Sequence, residues 1–287
     1  MTSVSRAEPS LPFSARLVSA RPVREFLRVA GQWVVFISQT LLSLPLTVIR
    51  YRRQTLQQMN SLAWGRGSLI VDGGVVSVLL ILGIAVGAAT AIEAFSVLNI
   101  IGFGALSGIV AGVGAVREIG PLVGGIAFAT QTGCRMTAEI GSMRIADEID
   151  AVEAMALRPI PFVVGTRLLG GMVCVIPGYL LTLVSIFFAM ELIIRLIGRV
   201  PGGTYSHYFI EFLTPTDLAY SVIKVVVYSA AATVIHCYYG YFVTGGPVGV
   251  GQASGRAVRT SLVTIMILDF ATTTMLWGIR PEFVFKG

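Results

Sequence analysis

Long apolar runs separated by short polar or basic breaks dominate this chain. Val75–Leu98, Gly102–Gly133, Val163–Ile194, Leu218–Val243 and Leu262–Gly278 are the five strongest runs. A helix needs about 20 apolar residues to cross the hydrocarbon core of a bilayer. The pattern therefore predicts an all-α membrane protein with five transmembrane helices, at about 75–98, 104–133, 163–194, 218–243 and 262–278. Trp33–Ile49 is different. It is apolar for 17 residues, but Ser38, Gln39, Thr40, Ser43 and Pro45 interrupt it and Arg50, Arg52 and Arg53 close it. That profile predicts an N-terminal amphipathic helix lying in the membrane interface, with a true span as the competing reading. Arg50–Trp64 continues as a basic amphipathic helix suited to anionic lipid. Residues 1–72 are read as a cytoplasmic tail with interfacial helices, and 73–287 as the membrane domain.

Composition agrees with a polytopic membrane protein: 55% of the 287 residues are hydrophobic, 13% are charged, and the mean hydropathy is +0.81. The net charge of +6 does not point to nucleic acid, because the basic residues flank apolar runs. Nine of the 21 precede Gly73, three fall in 134–160 and two in 244–260, all segments that the five-span layout puts on one side. Positive residues collect on the cytoplasmic side, so the N-terminus is expected inside and the C-terminus outside. The first thirty residues lack the compact apolar core of a signal peptide. Cys134, Cys174 and Cys237 are scattered without paired spacing, which argues against a disulfide or metal framework.

Between the second and third spans lies Met143–Leu157, where Ile145, Ile149, Val152 and Ala156 follow the helical period and Asp147, Glu148, Asp150 and Glu153, with Arg144, form the polar face. A short acidic helix pinned between two spans on the cytoplasmic side reads as a docking handle for a soluble partner. Inside the spans sit five ionisable residues, Glu93, Arg117, Glu118, Lys224 and Asp269. Such charges are costly in lipid and face partners or cavities; they either neutralise one another or line a polar cavity. Arg117 and Glu118 are adjacent, so on a helix they point about 100° apart and cannot simply pair. Pro121 removes a backbone donor next to them, and Gly120 loosens the same turn. Gly83 and Gly87, then Gly104, Gly108 and Gly112, recur four apart, a spacing that lets helices approach closely. Arg195–Pro215 is read as a polar outer segment whose Tyr205, His207, Tyr208, Phe209 and Phe212 resemble an interfacial aromatic belt, and Thr244–Ser254 as a glycine-rich cytoplasmic turn.

Other chemistry is not encoded here. A nucleotide-binding loop needs a lysine after glycine, and the only two lysines, Lys224 and Lys286, follow Ile223 and Phe285. The chain is not expected to be an enzyme, to hold a cofactor or to bind a metal. His207 and His236 lie in different layers, and His236 reads as a packed residue.

Arg117-Glu118-Ile119-Gly120-Pro121, Thr137-Ala138-Glu139-Ile140-Gly141-Ser142-Met143-Arg144 and Asp147–Met155 resemble the MlaE/YrbE permeases, the membrane subunits of ABC transporters that work with MCE proteins. His236–Tyr241, Gly245–Gly251 and Ala257–Ser261 are most similar to the B-type half of the actinobacterial YrbE proteins. The resemblance implies a plasma (inner) membrane permease domain over 73–287 with a coupling helix at 143–157. A paralogous A-type half would complete a dimer enclosing a lipid-sized cavity. A cytoplasmic ABC ATPase dimer would bind ATP and Mg, and MCE proteins would form a tunnel outside. Arg144, Asp147, Glu148, Asp150 and Glu153 would meet the ATPase, Arg117 and Glu118 would lie near the cavity, and the activity would be import of a hydrophobic lipid such as a fatty acid or sterol. The competing reading is a proton-coupled secondary transporter using Glu93, Glu118 and Asp269.

Overall fold

The computed structural model describes residues 21–64 and 75–278. The proposed N-terminal tail, the boundary at 72/73 and the basic residues Arg6, Arg16, Arg66, Arg280 and Lys286 lie outside the described residues. Every element among the described residues is helical: α1 (Arg21–Arg50), α2 (Arg52–Trp64), α3 (Val75–Ile100), α4 (Gly104–Ile145), α5 (Glu148–Ala154), α6 (Ile160–Gly198), α7 (Gly202–Phe212), α8 (Pro215–Tyr241) and α9 (Gly246–Trp277).

Six of these, by length and composition, are able to cross a membrane, one more than the five predicted spans. The sixth is Leu27–Arg50 within α1, where Pro45 sits inside the helix without ending it. Its contacts through Phe36, Thr47 and Tyr51 lie at one end of the bundle. Phe36 packs edge-on to Tyr238 and Phe242 at the end of α8. Thr47 sits 3.3 Å from the Pro161 carbonyl at the start of α6, and Tyr51 meets Phe162. Phe36 and Tyr51 are about 22 Å apart along the helix, yet both touch this α5 end. So α1 lies across the end of the bundle rather than along it.

The remaining helices stand side by side. Lipid is as apolar as leucine, so spans associate through close packing rather than a hydrophobic drive. The glycines supply it. A methyl group on Gly83 would overlap Ser185, and one on Gly87 would come 2.8 Å from the Ile186 carbonyl, so α3 lies directly on α6. Gly104 receives the Phe95 ring of α3. Gly108 and Gly112 receive the backbone of α7, with Tyr205 O 2.6 Å and Phe209 O 3.1 Å from the missing methyls. This changes the reading of 195–215. The segment contains a helix, and Tyr205 is only 2% exposed beneath it, not part of a surface belt. Burial pushes the Tyr205 phenol above its usual range. The glycine ridge of α4 fits a backbone, and α7 provides it.

Two further boundaries differ from the sequence reading. The glycine-rich stretch after Thr244 is not a turn, because α9 already begins at Gly246. Pro247 fits the first turn of a helix, where its missing N–H costs nothing, and only Gly245 and Gly246 of this stretch take a left-handed φ, 91° and 67°. The acidic segment is also shorter than 143–157. Asp147 adopts φ 55° and breaks the helix, so Met143–Ile145 end α4 and α5 spans Glu148–Ala154. Aspartate tolerates this conformation better than most residues, and a period-based pattern cannot register it. Consequently only Ile149 and Val152 are buried, while Ile145 and Ala156 are exposed.

Candidate functional site

α4 carries the chemistry. It is continuous from Gly104 to Ile145 but not uniformly α-helical: Val110–Ile119 and Ala129–Gly133 are wound as π-helix. Gly120 N–H bonds the Ala115 carbonyl, five residues back. The first π segment ends at Arg117, Glu118 and Ile119, directly before Gly120-Pro121. In an α-helix the Arg117 carbonyl would accept from residue 121, but a proline has no N–H to give. Lys224 of α8 fills that vacancy, with Nζ donating to the Arg117 carbonyl at 2.7 Å.

The same ammonium donates to Thr273 Oγ1 at 2.8 Å and pairs with Asp269 Oδ1 at 2.9 Å and Glu118 Oε2 at 3.3 Å. Lys224 is fully buried, so these contacts stand in for its lost water. Thr273 Oγ1 donates to Glu118 Oε1 (2.8 Å), and Tyr228 OH donates to Asp269 Oδ1 (2.7 Å). Arg117 turns the other way, as the 100° offset requires, and pairs with Asp217 Oδ2 at 3.0 Å. Trp277 Nε1 donates to Asp217 Oδ1, and its ring lies 5.4 Å from both Arg117 and Lys224, near enough for cation–π attraction to each.

The cluster therefore joins α4, α8 and α9 with two cations against three carboxylates. Four of the five intramembrane candidates, Arg117, Glu118, Lys224 and Asp269, come together in it. Glu93 does not: it is exposed on α3, two residues before the Phe95 that packs on Gly198, and takes no part in these contacts. A relay built from Glu93, Glu118 and Asp269 is thus not assembled within this chain. The Glu118 side chain is 40% exposed, so beyond its contacts with Lys224 and Thr273 it also faces whatever lies against α4.

Asp217, Tyr228, Thr273 and Trp277 were not singled out from the sequence. Asp217 had a legible signal. Thr214-Pro215-Thr216-Asp217 is a helix start, with Thr214 Oγ1 accepting from the Asp217 N–H at 3.1 Å. The span predicted from Leu218 begins one residue after it.

A second ionic knot lies toward the α5 end. Glu139 of α4 pairs with Arg135 on its own helix (2.9 Å) and with Arg167 of α6 (3.4 Å). Arg135 also donates to the Ser61 carbonyl and hydroxyl, which ties α2 to the same point. One turn away, His236 is enclosed between Thr137 (Nδ1 to Oγ1, 2.8 Å) and Ser261 (Nε2 to Oγ, 3.3 Å), a packed residue bridging α4, α8 and α9.

Beyond this knot is the acidic elbow. Asp147, Glu148, Asp150 and Glu153 are all exposed, with Ile149 and Val152 holding α5 to the bundle. Arg144 is less available than the sequence implied, since it pairs with Asp150 at 2.7 Å. The elbow closes in a Schellman turn: Leu157 N–H bonds Val152 O, Ala156 N–H bonds Glu153 O, and Ala156 takes the left-handed position with φ 58°.

Comparison with known proteins places the chain. The family model for Permease MlaE matches residues 67–275. The intermembrane phospholipid transport system permease protein MlaE of Haemophilus influenzae is 27% identical over 208 residues, covering 71% of this chain and 80% of that relative. A probable ABC transporter permease protein of Rickettsia prowazekii is 27% identical over 175 residues, 57% of this chain and 63% of its own length. The match thus spans less than two thirds of that relative. The chloroplastic protein TRIGALACTOSYLDIACYLGLYCEROL 1 of Arabidopsis thaliana is 29% identical over 164 residues, 56% of this chain and 46% of the relative. With the family match running from before α3 to the end of α9, the chain belongs to the MlaE permease family.

Proposed function

We propose that this chain is the membrane-spanning half of an ATP-driven lipid importer in the plasma membrane. ATP and Mg are bound and hydrolysed in a separate cytoplasmic ATPase pair. The chain works beside a paralogous A-type permease half, itself being the actinobacterial YrbE B-type, and delivers lipid arriving through MCE proteins outside. The N-terminus is cytoplasmic and the C-terminus extracytoplasmic. The observation that carries this reading is the elbow at Asp147–Leu157. It is a short, rigidly closed helix whose carboxylates all face outward, placed at the end of the same α4 that carries the buried charge cluster. A load applied to α5 is applied to α4. The name of the Haemophilus relative, a phospholipid transport permease, supports a lipid as the cargo, and the half-exposed Glu118 supports a polar patch facing a cavity between two halves. The arrangement of α1 across the α5 end supports an interfacial helix on the cytoplasmic surface.

Reversing charge at Glu148 and Glu153 tests the reading. The double variant E148K/E153K is expected to lose co-purification of the ATPase subunit and ATP-dependent lipid uptake in vesicles, with an unchanged melting profile. Intact assembly together with intact uptake overturns it. Uptake that persists without ATP and collapses with an uncoupler favours proton coupling instead.

A further inference from the structure

Where α1 crosses the end of the bundle it does not seal against it. A cavity of about 520 Å³ remains beneath it, bounded by Trp33 and Leu41 of α1, Leu168 of α6, Ala231 and Val234 of α8, and Thr260 of α9. That volume is in the range of small-molecule and cofactor sites. Its walls are almost entirely carbon. The small side chain of Ala231 leaves the room on α8. At the mouth, the Trp33 ring is stacked on Tyr238 (3.6 Å between centroids), and Tyr239 OH is 3.1 Å from Thr260 Oγ1, so the rim is amphipathic and fixed.

The charge at this rim is one-sided. Thr260 and Thr264 both line the cavity, and Arg256 lies one further turn toward the α5 end on the same face of α9. Thr260 Oγ1 donates to the Arg256 carbonyl at 2.9 Å. Arg256 is exposed, and none of the ion pairs among the described residues includes it, while Arg259, on a different face of α9, donates to the Gly255 carbonyl. An apolar slot with the guanidinium of Arg256 at its mouth matches one class of molecule best, an acyl chain attached to an anionic headgroup.

We infer that this cavity is a binding site for an anionic phospholipid of the leaflet at the α5 end, with one acyl chain under α1 and the phosphate on Arg256. It is separate from the Arg117–Asp269 cluster, which lies toward the α7 end of the same helices. The assignment rests on the orientation proposed above only for which leaflet supplies the lipid. Occupancy would pin α1 to α8 and α9, and through Tyr239 and Thr260 would brace the start of α9.

The test uses the full-length chain in its complex, purified from native membranes and reconstituted into phosphatidylcholine vesicles. These carry a trace of phosphatidylglycerol with a diazirine near the end of one acyl chain. After illumination, peptide mass spectrometry is expected to find the label on the Ala230–Ile235 and Thr260–Thr264 segments. R256Q is expected to lower that labelling about fivefold, the change one arginine near an anionic surface supplies. A231F, which fills the slot, is expected to abolish it, and the matching photoreactive phosphatidylcholine is expected to label weakly and without regard to R256Q. Since R256Q alters only an exposed side chain, it keeps the test decisive where A231F disturbs folding. Three results overturn the inference. The label could spread equally to outward-facing residues such as Phe188 and Leu196, the two lipids could label the slot alike, or the slot could become labelled only after a second permease subunit is stripped away. The last outcome makes the occupant a protein helix. No arm requires ATP, so failure of transport leaves the result readable.

Discussion

Lys224→Met is the sharpest probe of the charge cluster. Methionine keeps much of the volume of the lysine stem while removing the ammonium. Three losses follow from the geometry. The Arg117 carbonyl loses its donor, and Pro121 guarantees that the helix has no N–H at that position to replace it. Asp269 and Glu118 lose a cation at 2.9 and 3.3 Å, which leaves one cation against three carboxylates. Thr273 loses the bond that holds it between the two helices. Removing one partner of a buried ion pair costs about 3–5 kcal/mol, and one orphaned buried carbonyl costs about 1–3 kcal/mol. These overlap, so the total is set at the upper part of the first range. The assay is thermal unfolding of the complex in nanodiscs, followed by size-exclusion fluorescence, for K224M, D269N and the double variant. K224M alone is expected to melt well below the parent. The double variant is expected to melt above K224M, because D269N removes the carboxylate that was stranded. Strict additivity, or an unchanged K224M, refutes the claim that Lys224 holds α4, α8 and α9 together.

Four other perturbations follow from the same packing. Gly108→Leu drives a side chain into Tyr205 O, 2.6 Å from the first added carbon, and is expected to detach α7, seen as proteolytic cleavage near Arg199 that the parent resists. Ala156→Gly relieves a left-handed alanine and is expected to stabilise the elbow by roughly 1 kcal/mol, read by amide exchange at Leu157. Glu139→Gln leaves the buried Arg167 without its carboxylate and is expected to lower the melting temperature more than Ser61→Ala, which removes one of the two bonds that Arg135 makes to Ser61. Gly133→Ala brings a methyl within 2.5 Å of the His236 ring and is expected to lower the melting temperature by displacing that ring, with partial recovery of the melting temperature in G133A/H236A; no recovery refutes direct crowding.

The long helices were legible because apolar runs of sufficient length leave the chain few alternatives in lipid. The charged members of the cluster were legible too, since an ionisable residue in such a run stands out on chemistry alone. Their partners were harder to see. Thr273 and Tyr228 look like ordinary span residues, and their role appears only when α8 and α9 are side by side. The glycine-rich start of α9 misled for a related reason. Glycine and proline mark turns in water, yet both fit the first turn of a membrane helix. The elbow at Asp147 was invisible to periodicity because Ile145, Ile149, Val152 and Ala156 keep the 3.6-residue spacing across a break in the backbone. The polarity of the segment was readable, and its geometry was not.

The position of that break explains how a force at the surface reaches the cluster. α5 is too short to bend, and its two ends are fixed by left-handed residues, Asp147 and Ala156. Movement of Glu148–Ala154 must therefore rotate or translate the end of α4. The first obstacle along α4 is the knot of Arg135, Glu139 and Arg167, which fastens it to α2 and α6. The next is the enclosed His236, which fastens it to α8 and α9. Between these and Arg117 lie the π segment Ala129–Gly133 and the α-helical turns Gly120–Phe128, and a second π segment, Val110–Ile119, holds Arg117 and Glu118 themselves. A π turn holds one more residue than an α turn, and π segments recur at functional sites. Conversion of Ala129–Gly133 to α-helix would turn Arg117 and Glu118 around the axis relative to Glu139 by up to about 100°, the angle of one α-helical residue. Asp217 and Lys224 would then be exchanged for new neighbours without any change in the fastenings nearer the elbow. Cysteine pairs at 118 and 273, cross-linked with and without ATP in the assembled complex, test this. A yield that is the same in both states rules the rotation out, whereas loss of the cross-link in one state places the moving joint between Gly133 and Glu118.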